Sequence, residues 1–449
     1  MQLPNRPKIP AWIQTIQMLS NPTGYLETTA KEYGDFFTIE FVGSSPLVVI
    51  SNPLAIQEIF NADRNQFRTG EAAQIMLPVL GKNSMSLNDG EYHLNQRKLL
   101  KPAFHGEHMR AYSKLICDTT IAVMSEWVIG NSKPIISLIE EISLQVIMQT
   151  IFSTKNSPRI QLLKEIVSQM MNIFRSPLAN SMLFFPFLQK DLGSWSLWGH
   201  FLKLRRQIDE LIYAEIKERR SINYKKAYLQ STDKDILSLL MSACDEDGQP
   251  MTDRELRDEL MTLIFSSHES TSITITWSLY WIHYLPKVRD RLLLELQSLN
   301  SKLDPMEVIQ LPYLRAICSE VLRMNPTTLF TAPRILQSST QIMGYKLDKG
   351  TKLLPCIYLT HHRPDLYSEP KRFQPERFLD HQYSPYEYFP FGGGNRGCIG
   401  MTFAQMVVKL VVATILLHFQ LLLVNTRPEK YVFRGLLLGP STGVKMIKV

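Results

Sequence analysis

The stretch Phe391–Gly400, reading Phe-Gly-Gly-Gly-Asn-Arg-Gly-Cys-Ile-Gly, constrains this chain more than any other. It carries Gly392, Gly393, Gly394 and Gly397, one cation, Arg396, and one thiol, Cys398. Glycine adopts positive φ at little cost and lets a backbone approach a flat ligand closely. The apolar segment from Met401 to about Leu423 reads as a helix that starts just after the thiol. A cysteine at a helix start gains thiolate character from the helix dipole and the unpaired N–H groups there. Such a loop can hold an anionic sulfur against a metal with no second protein ligand. The alternative is a turn around a buried thiol.

A chain of 449 residues is long enough to bury a large core and enclose a cofactor. Its 45% hydrophobic and 20% charged residues are those of an ordinary globular protein. The formal net charge of +7 admits a nucleic acid, an anionic membrane surface or an acidic protein as partner. No basic run or nucleic-acid motif supports the first, so no nucleic-acid partner is expected. The cysteines Cys117, Cys244, Cys318, Cys356 and Cys398 include no Cys-x-x-Cys pair, which argues against zinc and iron–sulfur sites. Their odd number and wide spacing fit reduced thiols in a cytoplasmic protein. The start, Met1 to Pro10, is polar and broken by prolines, so neither a signal peptide nor a transmembrane anchor is expected. Trp12 and Ile13, beside those prolines, allow peripheral contact with a membrane surface.

The pattern along the chain predicts a mainly α protein with small β-sheets (α+β), one domain over 1–449. Residues 11 to 33 carry helical spacing and end at Gly34. Residues 38–42 and 47–50 read as a hairpin, and Pro53 opens a helix toward Phe60. Residues 91–300 are mostly helical, with breaks at prolines, glycines and 221–233; a long continuous helix spans 253–285. Helices follow at 287–300, 311–324 and 401–418. The β-rich portions lie near 36–51, 327–390 and 425–449.

The pattern Phe-x-x-Gly-x-Arg-x-Cys-x-Gly is complete at Phe391, Gly394, Arg396, Cys398 and Gly400. It resembles the haem-binding loop of the cytochrome P450 family, in which the cysteine thiolate is the axial iron ligand. The resemblance implies haem b (iron protoporphyrin IX) as cofactor and the triangular haem-thiolate fold, with the long central helix over the haem. Further segments match in family order. Glu320-x-x-Arg323 and the Arg377 of Pro-Glu-Arg-Phe correspond to the triad that braces the haem loop. His93 and Arg97, four apart on one helical face, correspond to residues at the haem propionates, as do Arg334 and Arg396. Ser266-Ser267-His268-Glu269-Ser270-Thr271 is similar to the oxygen-activation segment, (Ala/Gly)-Gly-x-(Asp/Glu)-Thr-Thr. There Glu269 matches the acid, Ser267 replaces the usual glycine and Ser270 the usual threonine. Acid and hydroxyl on such a helix relay protons, so Glu269, Ser270 and Thr271 are the implied catalytic residues.

Pocket lining is expected from Ile75, Met76, Phe174, Ser266, Leu329, Phe330 and Leu438. A further apolar stripe runs through Met170, Met171, Leu178, Met182, Phe184 and Phe185. So many hydrophobic candidates argue for an apolar small-molecule substrate. The whole resembles a soluble bacterial member, of a cyanobacterial branch related to fatty-acid and alkane hydroxylases. The implied reaction is insertion of one oxygen atom from O2 into an apolar substrate, a fatty acid, alkane or terpenoid. The chain has no flavin or iron–sulfur segment, which implies a separate ferredoxin or flavodoxin with its reductase. Lys98, Lys101, Arg110, Lys371 and Arg372 are the cations expected to steer such an acidic partner. A haem-thiolate peroxygenase or isomerase, for which the altered Ser267 and Ser270 leave room, and a non-catalytic haem-binding protein are the alternatives.

Overall fold

The computed structural model describes residues 3–104, 106, 108–153, 157–175, 177–221, 235–299 and 304–449. Helices dominate, and the described strands form four small sheets of five, two, three and two strands.

The element around which the others pack is the helix Asp253–Tyr284, 32 residues long. A capping box sets its start: Thr252 Oγ1 accepts from Glu255 N at 3.3 Å, and Glu255 Oε2 accepts from Thr252 N at 2.9 Å. Such a cap is worth about 1 kcal/mol. Pro286 stops it, because a proline disfavours helical geometry in the residue before it. Its sides are covered by the helices Ile135–Phe152, Met401–His418 and Pro312–Met324 and by the strand Leu437–Pro440. Leu260, Ile264, Ile273, Ile275 and Trp277 are all buried, as a helix apolar on several sides requires. Ile135–Phe152 and Met401–His418 are long and apolar enough to cross a bilayer, but 78% and 56% of their apolar windows are buried in the protein. Both are core helices.

The five-stranded sheet runs in the order Phe36–Ile39, Leu47–Ile50, Lys352–Pro355, Arg334–Leu336, Phe67–Arg68. Its first two strands are the expected hairpin, but the first begins at Phe36 and ends at Ile39. Leu47–Ile50 then pairs in parallel with Lys352–Pro355, a strand far downstream in the chain. The helical stretch expected over 11–33 is two helices, Ala11–Ser20 and Pro22–Tyr33. Asn21 breaks it, accepting from Gly24 N at 3.2 Å to cap the second helix, with Pro22 at its first position. The first helix leaves Trp12, Ile16 and Leu19 exposed. The β-rich portion 327–390 also contains the short helices Ile357–His361 and Arg377–Asp380. The break expected over 221–233 lies, beyond Ser221, outside the described residues.

Candidate active site: a thiol, a cavity and a cation cluster

The loop closes on itself before the helix Met401–His418 begins. Cys398 N donates to Phe391 O at 2.9 Å, and Gly397 N donates to Gly394 O at 3.1 Å. Two of its glycines are required by a neighbour. A Cβ on Gly393 would lie 2.1 Å from a ring carbon of Phe60, and one on Gly394, at φ +65°, would lie 2.5 Å from Phe60 O. Gly400 is different: a Cβ there would meet nothing within 4 Å. Phe60 is fixed edge-on against Phe389, ring centres 5.5 Å apart.

Cys398 is exposed, yet burial pushes its thiol up. The two observations agree because the exposure is to an internal cavity of about 350 Å³ that the residue lines. The backbone N–H of Gly400 and the charge of Arg97 pull the thiol back toward the anion. Across the cavity stand Leu263, Ser266, Ser267, Ser270, Thr271 and Thr274 of the long helix. The wall between is Leu322, Thr327, Thr328, Phe330, Thr331 and Arg334, and the first turns after the loop add Phe403, Ala404 and Val408. The hydroxyls of Ser266, Ser267, Ser270 and Thr274 donate to the carbonyls of Thr262, Leu263, Ser266 and Ser270, at 2.6, 2.5, 2.9 and 2.9 Å. Each oxygen thereby keeps lone pairs to accept from water or a ligand.

Glu269 does not line this cavity. Each helical residue turns roughly 100° from the last, so Glu269 lies on another flank, beside the C-terminal hairpin and Glu140, Arg175 and Arg434. Burial first, then the charge of Glu140, pushes its carboxyl up to about 7.

At one end of the cavity three guanidiniums and an imidazole gather. Arg396 donates to Asn88 O at 2.6 Å and to Asp89 Oδ1. Arg334, buried, donates to Thr69 Oγ1 at 2.8 Å and Gly393 O at 3.1 Å. His93 has a backbone carbonyl at each ring nitrogen, Met85 O at 2.8 Å and Asn395 O at 3.2 Å. Arg97, four residues on, is half-buried. Asp89 is the carboxylate of this cluster and also accepts from Thr69 N, Gly70 N and Glu71 N. It does not balance the cations: burial and the like charge of Arg396 push Arg334 down to about 10, with Asp89 opposing. A ligand bearing two carboxylates would relieve this repulsion and use the planar forks of the arginines.

Behind the loop, Glu320, Arg323 and Arg377 form one buried ion-pair group. Glu320 accepts from Arg323 at 2.6 and 2.8 Å, from Arg377 Nε at 3.1 Å and from Gln374 N at 2.9 Å. Arg323 also donates to His361 O at 2.8 Å and Pro370 O at 2.9 Å, which ties down the segment leading into the loop.

Of the seven residues expected to contact substrate, Ser266 and Phe330 line the cavity. Ile75 and Met76 are half-buried on a short 3-10 helix, while Phe174, Leu329 and Leu438 are packed in the core. Met170 and Met182 of the apolar stripe are likewise core, and the side chains of Leu178 and Phe184 lie outside the described residues. Sequence reasoning missed Asp89 and Phe403; only the Gly90 beside Asp89 offered a signal. Of the surface cations, Lys98 pairs with Glu246 (2.5 Å), Arg110 with Asp304 (3.1 Å), Lys371 with Glu27 (2.7 Å) and Arg372 with Glu369 (2.9 Å). Lys101 is exposed.

Comparison with known proteins bears on this geometry. A family model described as cytochrome P450 matches residues 3–446. The chain is 30% identical over 446 residues to a protein of Mycobacterium tuberculosis named cytochrome P450 135B1, covering 99% of this chain and 91% of the relative. It is 26% identical to cytochrome P450 138 of the same organism, covering 100% of this chain and 96% of the relative. Among solved structures, retinoic acid-bound cyanobacterial CYP120A1 has the same fold, with a TM-score of 0.84 at 22% identity, covering 100% of this chain and 99% of that one.

Proposed function

Because the chain belongs to the cytochrome P450 family of haem-dependent monooxygenases, we propose that it inserts one oxygen atom from O2 into an apolar substrate, a fatty acid, alkane or terpenoid, with electrons from a separate ferredoxin or flavodoxin and its reductase. The observation that carries this reading is the Cys398 thiol opening on a cavity opposite the hydroxyls of Ser266, Ser270 and Thr271.

Haem b fits the residues present. Cys398 would be the iron ligand, its anion favoured by the Gly400 N–H and the Arg97 charge. Arg97, Arg334 and Arg396 would take the two propionates, whose charge the cation cluster lacks, with His93 beside Arg396. Phe391 and Gly400 flank the sulfur and leave room for a flat ring. Glu320, Arg323 and Arg377 brace the loop from behind. The chemistry a bound haem would supply is activation of O2, with a thiolate ligand favouring O–O cleavage. The chain's own work is to exclude water, orient substrate and supply protons. Ser270 donates to Ser266 O and so accepts a water at its oxygen; with Thr271 it passes protons across the cavity. Glu269, on the other flank, would be the acid that feeds this relay, its carboxyl pushed up to about 7 by burial and then by the charge of Glu140. Phe330, Leu322 and Thr331 line the cavity in which substrate would lie.

Two further features support the apolar substrate and the acidic partner. The cavity wall is mostly hydrocarbon, and a relative of the same fold is described with retinoic acid, an apolar acid, bound. The surface pairs of Lys98, Arg110, Lys371 and Arg372 are exposed and so exchange partners at small cost. All five thiols are free, as in a cytoplasmic protein.

The test is turnover under ¹⁸O2 with NADPH, ferredoxin and ferredoxin reductase, using lauric acid, hexadecane and retinoic acid as probes. One labelled oxygen per product is expected, at a rate that falls with added salt. Product from peroxide alone, with none from the reductase system, would replace this reading by a peroxygenase. A Soret shift on probe binding with no product under either condition would leave a binding protein.

A further inference from the structure

Four charged side chains meet on the flank of the long helix that faces away from the cavity. Glu140, buried on the helix Ile135–Phe152, accepts from Arg175 at 2.6 Å and from Arg434 at 3.1 Å. Arg175 follows the helix Pro158–Ile173, and Arg434 ends the strand Tyr431–Arg434 of the C-terminal hairpin. Glu269 lies against the turn of that hairpin: a Cβ on Gly435 would stand 3.7 Å from its Oε2. Among the described residues the Glu269 carboxyl has neither a hydrogen bond nor an ion pair, while Arg434 Nε is buried without a described partner. One carboxylate thus holds both guanidiniums, and the other, at the acid position of the long helix, holds neither.

We infer that Glu140 is a positioning residue for Glu269: by engaging Arg175 and Arg434 it denies the buried Glu269 carboxyl a counter-ion. The inference rests on the reading of Glu269 as the proton-supplying acid. Every neighbouring element contributes a group to the balance. The helix Ile135–Phe152 offers Glu140, whose charge raises the carboxyl; the segment after Ile173 offers Arg175 and the hairpin offers Arg434, which both lower it. On the long helix itself His268 is buried and, held down to about 3, stays neutral. Removing the Glu140 charge therefore acts twice in one direction. It deletes the anion that repels Glu269 and releases two cations that would pair with it.

The test uses the full haem-loaded chain and follows the protonated-carboxyl infrared band that Glu269→Gln abolishes, as a function of pH. Coupling of NADPH use to lauric acid oxidation is measured over the same range. In Glu140→Gln the band should titrate at least one pH unit lower than in the unaltered protein, a tenfold change in proton concentration, and coupling should fall at neutral pH. Glu140→Asp should restore both in large part. Arg434→Gln, which removes a lowering charge, should move the band the other way; it decides the matter if Glu140→Gln does not fold. A band that titrates at the same pH in both variants would overturn the inference. A coupling profile left unchanged by Glu269→Gln would instead overturn the role of Glu269, while the band would still report whether Glu140 sets its protonation.

Discussion

Glu320→Ala should yield no haem-loaded protein. Glu320 and Arg323 have no solvent exposure and Arg377 little, so the carboxylate is what compensates two buried cations. Breaking a buried ion pair at one member typically costs about 3–5 kcal/mol, a large share of a domain's net stability. The loss is local as well as global. Arg323 freed of Glu320 no longer holds His361 O and Pro370 O in register, and Arg377 no longer anchors the segment that leads to the loop. The haem-to-protein ratio of purified variant is the measurement; a soluble variant with full haem content would show that the triad does not brace the loop. Glu320→Gln keeps the acceptor oxygen but not the charge, and should fall between the two.

Gly394→Val should be nearly as damaging, for a steric reason. At φ +65° a non-glycine residue stores roughly 1–3 kcal/mol of strain, more when β-branched. The Cβ would also stand 2.5 Å from Phe60 O, a backbone atom with no rotamer to turn away. The loop must shift, and with it the Cys398 N to Phe391 O bond that sets the sulfur. A sharply lower thermal midpoint and weak haem retention are expected. Gly397→Ala is the comparison: at φ −56°, with its nearest contact at 3.4 Å, it should be tolerated. Equal stability of Gly394→Val and the unaltered chain would contradict this account of the loop.

What could be read from the residues was local or short-ranged. Thr252 and Glu255 announce the start of the long helix and Pro286 its end, because capping and proline sterics act within a turn. The loop motif and the Glu320-x-x-Arg323 spacing are likewise local, and the structure brings Arg377 to them. The parallel pairing of Leu47–Ile50 with Lys352–Pro355 leaves no local mark, since each run satisfies its own alternation. Nor does the sequence tell that Phe60, far upstream, is what demands glycine at 393 and 394. The rotational phase of the long helix against its neighbours sends Glu269 to the hairpin and Ser270 to the cavity. That phase follows from packing over the whole helix. Asp89 escaped notice because an acidic residue among cations is legible only when its partners are known to converge.

The most direct test of the sulfur–iron ligation at Cys398 is the absorbance of the reduced, carbon-monoxide-treated protein. The account predicts the long-wavelength Soret band of thiolate ligation in the unaltered chain and its loss in Cys398→His, with haem still bound. Absence of that band from the unaltered, haem-loaded protein, or its persistence in the variant, would contradict it.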